Sequence, residues 1–225
     1  MRAGIEIKLQ PGWHTYWRYP GDSGVPPRFT FSDSDNVATV KVLYPAPHAV
    51  TDEAGVTIGY KGNVIFPLRI VPLDKRKPVT LRLKADYAVC EKLCVPVEAR
   101  ASLGLPGASA TSNAALAAAE ARVPRQIARA EAGLTVRRVN NGPKPLVFVD
   151  LPAPGGEPVE IFVEGPTADW ALPIPKPAPD APSGRRHFSF ELDGLPPGVD
   201  PKGRFDLTFT IVRGGQPIEV KTHLD

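Results

Sequence analysis

The chain has 225 residues, a net charge of +3 and 27 prolines. Hydrophobic residues make up 42% of it and charged residues 23%, which is typical of a folded protein and excludes extensive disorder. The balanced charge excludes a concentrated nucleic-acid-binding face, and no apolar stretch reaches the roughly 18–20 residues of a membrane span. No secretory leader is recognised, so composition leaves open a cytoplasmic protein or the mature part of an exported one.

The first hundred residues follow the pattern of β-strands. Residues 5–9 alternate apolar and polar side chains, and Pro11-Gly12 turns the chain into an aromatic strand at residues 13–17. Its aromatic residues Trp13, Tyr16 and Trp17 are expected to be core on one face and partly exposed on the other, or to form a docking surface. Further strands are predicted at residues 28–31, 38–43, 64–71 and 79–85.

A turn-rich linker at residues 104–112 leads into an alanine-rich helix at residues 113–122. Helical character is expected to resume over residues 125–132, before Gly133 closes it. Strands return at residues 134–139, 146–151, 159–163, 188–192, 205–212 and 218–223. The sequence therefore predicts an all-β protein with two immunoglobulin-like β-sandwich domains, residues 1–107 and 133–225, joined by a linker at residues 108–132 that contains the helix.

Cys90 and Cys94 are the two cysteines of the chain, and three residues separate them. As a structural disulfide they would close a very small loop and stabilise the fold only weakly. As a zinc or copper site they would supply two thiolates, and the four histidines lack ligand spacing. As a reversible dithiol they would lie in a tight connection between two strands, where partners can reach both sulfurs. Spacing alone leaves these three interpretations open.

Residues 3–105 contain several short motifs: Pro11-Gly-Trp-His-Thr-Tyr-Trp17, Pro20-Gly21, Tyr44-Pro45, Thr51-Asp-Glu-Ala-Gly55, Gly59-Tyr-Lys-Gly62, Val64-Ile-Phe-Pro-Leu68 and Cys90-Glu-Lys-Leu-Cys-Val-Pro96. In order and spacing these motifs resemble the N-terminal periplasmic domain of the DsbD family of thiol:disulfide interchange proteins, in particular its ScsB-like branch. The best-known members separate their cysteines by five residues, whereas this chain has three, as in the ScsB-like branch.

The resemblance implies an immunoglobulin-like domain of the bacterial periplasm, cut from a membrane protein. Such a domain receives electrons from a membrane-embedded partner through a thioredoxin-like domain and passes them to oxidised periplasmic proteins. Carried over by position, Cys90 and Cys94 are the expected redox pair, and Cys94 is expected to form the mixed disulfide. The exchange needs no metal or organic cofactor. The second domain is expected to orient or recruit partners.

The resemblance also implies a cap loop that shields the cysteine pair when no partner is bound. Asp52 and Glu53 match its acidic start, and Ala54 stands where the family usually has an aromatic residue. Tyr60 is then the aromatic residue expected to shield the pair.

If the acidic cap quiets the pair, removing its charge should increase thiol reactivity, because nearby carboxylates disfavour the thiolate. The double variant Asp52→Asn, Glu53→Gln is expected to raise the alkylation rate of the reduced pair at neutral pH by about three- to tenfold. The measurement is the alkylation rate as a function of pH. An unchanged profile would contradict the gating role of the cap.

Overall fold

The computed structural model describes residues 1–21, 24–52, 55–105, 110–140, 142, 144–153, 157–179 and 184–225, and only the backbone of residues 52 and 110–113. The chain divides into two compact units, Met1–Val123 and Pro124–Asp225. Strands dominate both units, which confirms the predicted all-β class.

Within its described residues, the first unit arranges its strands in two sheets. The smaller sheet has the order β1–β7–β4 and the larger one β3–β8–β2–β6–β5. Strand β9 pairs with β8 along its whole length. The strands are β1 (Arg2–Ile7), β2 (His14–Tyr16), β3 (Arg28–Thr30), β4 (Val37–Val42), β5 (His48–Asp52), β6 (Gly55–Lys61), β7 (Val64–Pro72), β8 (Val79–Cys90) and β9 (Cys94–Leu105).

The core of the first unit lies between the apolar faces of these sheets. In β1, Ala3, Ile5 and Ile7 are buried and alternate with exposed residues, as a half-buried strand requires. Phe66 of β7 is fully buried, and the ring of Tyr60 of β6 meets it edge-on with centroids 5.4 Å apart. Large side chains from both sheets therefore fill the sandwich and fix the strand positions that carry the cysteines.

Helix α1 (Ala110–Ala121) belongs to the first unit and packs against β7. Its Leu116 is buried, and Glu120 accepts hydrogen bonds from Arg2 of β1 and Arg69 of β7. The hydrogen bond from Arg2, followed by that from Arg69, lowers the pKa of Glu120 because both partners favour the carboxylate. Apolar contact and charge together hold the helix on this sheet.

The second unit contains, in its described residues, the sheets β10–β17–β16–β13 and β11–β12–β15–β14. Trp170 is buried against Phe205, with ring centroids 4.8 Å apart. Its elements are β10 (Arg125–Ile127), α2 (Arg129–Ala132), β11 (Thr135–Val139), β12 (Leu146–Pro152), β13 (Glu160–Glu164), β14 (Lys176–Pro177), β15 (Arg185–Glu191), β16 (Phe205–Val212) and β17 (Ile218–Leu224).

The segment at residues 125–132 differs from its predicted helical state. Arg125–Ile127 forms β10, parallel to β17, and only Arg129–Ala132 is helical. The edge of β17 offers backbone partners at this point, and the Arg125 amide donates to the Pro217 carbonyl at 2.9 Å. These tertiary hydrogen bonds outweigh the local helix propensity. Gly133 closes α2 in the left-handed conformation, as predicted.

Leu116→Ala should lower the free energy of unfolding of the first unit by about 2–4 kcal/mol, because it removes buried apolar contact between α1 and the sheet. Leu73→Ala is the matched control, since Leu73 is 74% exposed. Urea unfolding of both variants measures the difference. Equal stability of the two variants would contradict the packing of α1 on the sheet.

Candidate functional site

The cysteine pair closes the hairpin formed by β8 and β9. Cys90 is the last residue of β8, Cys94 the first of β9, and they stand directly opposite each other in the antiparallel register. They form a disulfide with their Cα atoms 4.2 Å apart. The turn between them is tight, since the Glu91 amide donates to the Leu93 carbonyl at 3.3 Å.

The two cysteines differ sharply in burial. Cys90 is 1% exposed and packs in an apolar cluster with Tyr16 and Ala88. Cys94 is exposed at the start of β9. An attacking group from another molecule can therefore approach the Cys94 sulfur, whereas the protein covers the Cys90 sulfur.

Tyr16 of β2 reaches both sulfurs. Its hydroxyl oxygen lies 3.0 Å from Sγ of Cys90 and 3.3 Å from Sγ of Cys94. Neither sulfur of a disulfide carries a proton, so the Tyr16 hydroxyl is the donor in both contacts. Strand pairing explains the meeting, because His14 of β2 pairs with Cys90 and Tyr16 lies two residues further along the same face.

The Tyr16 ring is held from several sides. The His14 ring meets it edge-on with centroids 5.6 Å apart. The chain at Gly24 passes so close that a Cβ atom there would lie 2.8 Å from Cδ1 of Tyr16 and 2.2 Å from Cβ of Pro20. Glycine is thus required at residue 24 by close contact, and the Tyr16 hydroxyl has little freedom to leave the sulfurs.

Strand β8 is fixed two residues before its cysteine. The buried hydroxyl of Thr15 donates to the carbonyl of Ala88 at 2.8 Å. That carbonyl is therefore directed toward β2 and away from β9, so the pair of Ala88 and Pro96 does not exchange backbone hydrogen bonds. Pro96, which has no N–H group, accordingly fits in β9 without costing the β8–β9 ladder a hydrogen bond.

A shallow cleft of about 680 Å³ begins at Cys94 and runs beside the β8–β9 hairpin. Val25 and Pro26 line it together with Pro96 and Glu98 of β9. Apolar side chains are exposed around the same end of the hairpin: Val25 at 54% and Leu93 at 79%. Apolar side chains therefore lie beside Cys94, together with the charged side chains of Arg28, Asp86 and Glu98 in the cleft.

Comparison with known proteins identifies the domain that carries this site. Residues 1–106 match the family model described as thiol:disulfide interchange protein DsbD, N-terminal. The first unit belongs to the DsbD N-terminal family. This confirms the resemblance found in the sequence and makes the unit a thiol:disulfide interchange domain by family.

A solved structure extends the likeness in fold to the whole chain. The crystal structure of the N-terminal periplasmic domain of ScsB from Proteus mirabilis is similar with a TM-score of 0.74 and 22% sequence identity. The similarity covers 99% of this chain and 87% of that one. At that identity the likeness concerns the fold. Among curated proteins, none matches this chain.

The residues expected to form the cap of this DsbD-family domain lie partly in the core and partly outside the described residues. Tyr60 is buried in the core, and its hydroxyl donates to the Pro45 carbonyl at 2.8 Å, not to a sulfur. Asp52 ends β5 and pairs with Gly55 of β6, and its side chain lies outside the described residues. Glu53 and Ala54 also lie outside them. The aromatic residue that the structure does bring to the cysteines is Tyr16.

Sequence reasoning assigned the aromatic residues of β2 to a core or a docking surface. Trp17 is fully buried and belongs to the core, whereas Trp13 is partly exposed. The contact of Tyr16 with the sulfurs was missed because it depends on the pairing of β2 with β8, about seventy residues later in the chain. The alternation of His14 and Tyr16 on one face was the available signal.

None of the helices in the described residues is long and apolar enough to cross a membrane. No group of three or more His, Cys, Asp or Glu side chains in the described part of the chain is placed to hold a metal ion.

Gly24→Ala should destabilise the DsbD-family domain by about 1–3 kcal/mol, because the added methyl group collides with Pro20 and the Tyr16 ring. Gly104→Ala in β9 is the matched control, since a Cβ there has no atom within 4 Å; its effect should stay within about 0.5 kcal/mol. Urea unfolding measures both. A neutral Gly24→Ala variant would mean that this segment does not fix Tyr16.

Proposed function

We propose that this chain is a periplasmic thiol–disulfide exchange module that transfers electrons through the Cys90–Cys94 pair. It takes two electrons from a dithiol of a thioredoxin-like partner domain, itself supplied by a membrane-embedded donor. It passes them to oxidised periplasmic proteins. The family of the first unit supports exchange chemistry in general, and the direction and partners are our inference from that family and from the site.

The observation that carries this proposal is the unequal exposure of the two cysteines. Exchange proceeds through a mixed disulfide, which requires one sulfur that a partner can reach and a second that resolves the intermediate. Cys94 is exposed, and Cys90 is buried directly across the hairpin. This division suits Cys94 as the attacking sulfur and Cys90 as the resolving one.

The reaction balances with these two thiols alone. The Cys94 thiolate attacks one sulfur of the substrate disulfide, forms a mixed disulfide and releases the first substrate thiolate. The Cys90 thiolate then attacks Sγ of Cys94, forms the Cys90–Cys94 disulfide and releases the second substrate thiolate. Two electrons pass to the substrate, whose two thiolates take up two protons, while the module loses two thiol protons. A dithiol of the thioredoxin-like partner then reduces the Cys90–Cys94 disulfide of the module again.

The surroundings of Cys94 support a protein as the reacting partner. Val25 and Leu93 expose apolar surface beside the sulfur, and the cleft continues from it along β9. An exposed apolar patch next to a reactive group is typical of a protein-binding surface. The cap at Asp52 and Glu53 remains a proposal, in which the acidic loop keeps the pair unreactive until a docking partner displaces it.

Single-cysteine variants test the assigned roles. With oxidised glutathione, Cys90→Ala should accumulate a mixed disulfide at Cys94, because the resolving thiol is absent. Cys94→Ala should form its adduct at least about tenfold more slowly, because access to Cys90 is blocked by the protein. Mass spectrometry of samples quenched with acid follows both adducts. Both variants keep one thiol, so each is the control for the other.

Faster adduct formation at Cys90 would reverse the assignment of the two sulfurs. The alternative function, a binding module with a static disulfide, predicts a different result for the wild-type protein. Its reduced form would close the bridge again but would not transfer electrons to a protein disulfide at a useful rate.

A further inference from the structure

The hydroxyl of Tyr16 is placed where it can act on both sulfurs of the pair. Its oxygen lies 3.0 Å from Sγ of Cys90 and 3.3 Å from Sγ of Cys94. Tyr16 as a whole is only 3% exposed. Tyr16 and Cys90 form a buried cluster with Ala88, in which the Tyr16 hydroxyl is the polar side-chain group. The packing of His14 and Gly24 on the ring keeps it there.

We propose that Tyr16 is a catalytic residue of the exchange, whose hydroxyl donates a hydrogen bond to the thiolate of Cys94 during attack and to the thiolate of Cys90 during resolution. This inference rests on the proposed function of the pair. In this proposal the neutral Tyr16 hydroxyl stabilises the negative charge on sulfur in both the attack step and the resolution step, and it does not have to move between them.

The chemistry favours the thiolate as the acceptor. A disulfide sulfur is neutral and accepts a hydrogen bond weakly, whereas a thiolate carries a full charge. The same Tyr16 hydroxyl therefore stabilises the reduced, deprotonated pair more than the oxidised one. Because Cys90 is buried, its charge would otherwise be costly, and a donor at hydrogen-bonding distance offsets part of that cost.

Other titratable and charged groups surround the pair, and the test must hold them constant. His14 packs on the Tyr16 ring, and Lys61 pairs with His14 across the sheet. Glu91 and Lys92 lie in the turn between the cysteines, and the Glu91 carboxylate lies beside Gly12. Arg28, Asp86, Tyr87 and Glu98 line the cleft next to Cys94. Asp52 and Glu53 belong to the expected cap.

Tyr16→Phe removes only the hydroxyl and leaves these groups in place. In a Cys90→Ala background, which isolates Cys94, it should raise the apparent pKa of Cys94 by about one, as expected for a lost hydrogen bond to a charged group. The probe is the rate of reaction with dithiodipyridine as a function of pH. Tyr44→Phe in the same background is the matched control, since Tyr44 is a half-buried tyrosine whose ring packs on Phe66.

The pH profile contains a signature that a structural role of Tyr16 would not produce. At pH values below the pKa of Cys94 in both proteins, the Tyr16→Phe variant should react about threefold more slowly. Its thiolate fraction falls about tenfold, but the more basic sulfur is a stronger nucleophile and offsets part of that loss. At pH values above the pKa of Cys94 in both proteins, Cys94 is fully thiolate in each. The Tyr16→Phe variant should then react about threefold faster, because its sulfur is the stronger nucleophile. The two profiles should therefore cross.

Profiles that coincide, or a uniform slowing at all pH values, would overturn the role of Tyr16. A second measurement separates this outcome from failure of the proposed function. In the two-cysteine proteins, Tyr16→Phe should make the reduction potential more negative than that of wild type, increasingly so at high pH where thiolates dominate. An exchange-range potential in the wild type with no difference in Tyr16→Phe refutes Tyr16 alone. A wild-type potential typical of a static bridge refutes the proposed function instead.

Discussion

The site depends on the register in which β8 pairs with its two neighbours. Against β9, this register sets Cys90 opposite Cys94, and against β2 it sets Cys90 opposite His14. A shift by one residue would turn the affected side chains to the other face of the sheet. The hydrogen bond from Thr15 to the Ala88 carbonyl and the core around Phe66 hold that register. The position of the disulfide is therefore a consequence of packing throughout the first unit.

The same register produces the difference between the two sulfurs. Strand β8 lies inside the sheet, so its last residue is covered by β2, whose Tyr16 packs against it. Strand β9 pairs only with β8 among the described residues, so its first residue faces solvent. A hairpin with one inner and one outer strand thus supplies a protected and an accessible sulfur at adjacent positions. Tyr16, from the inner side, lies within reach of both.

Local pattern was sufficient for much of the fold. Alternation in β1, the turn at Pro11-Gly12 and six strands of the second unit (β11, β12, β13, β15, β16 and β17) were predicted within a few residues of their observed bounds. These features depend on period-two burial and turn chemistry, which are local. The strand at Arg125–Ile127 was not predicted, because its hydrogen-bonding partner is the distant strand β17. The spacing of the cysteines left three chemical roles open, and family resemblance was needed to favour exchange.

The contacts around the sulfurs required the structure. Tyr60 and Tyr16 are both tyrosines on neighbouring strands, and alternation along β2 does not by itself decide which of them faces the pair. Strand pairing decides it: Tyr60 pairs with Thr15 and turns into the core, while Tyr16 lies on the face of His14 and Cys90. The close approach at Gly24 likewise arises from a loop whose path is set by tertiary packing.

The central claim is that the Cys90–Cys94 disulfide is exchanged in function. Its reduction potential, measured by thiol titration of the protein equilibrated in glutathione and dithiothreitol redox buffers, tests this most directly. A value within about −270 to −120 mV, the range of known exchange proteins, is the result that the account predicts. A value below about −300 mV, typical of structural disulfides, would contradict it.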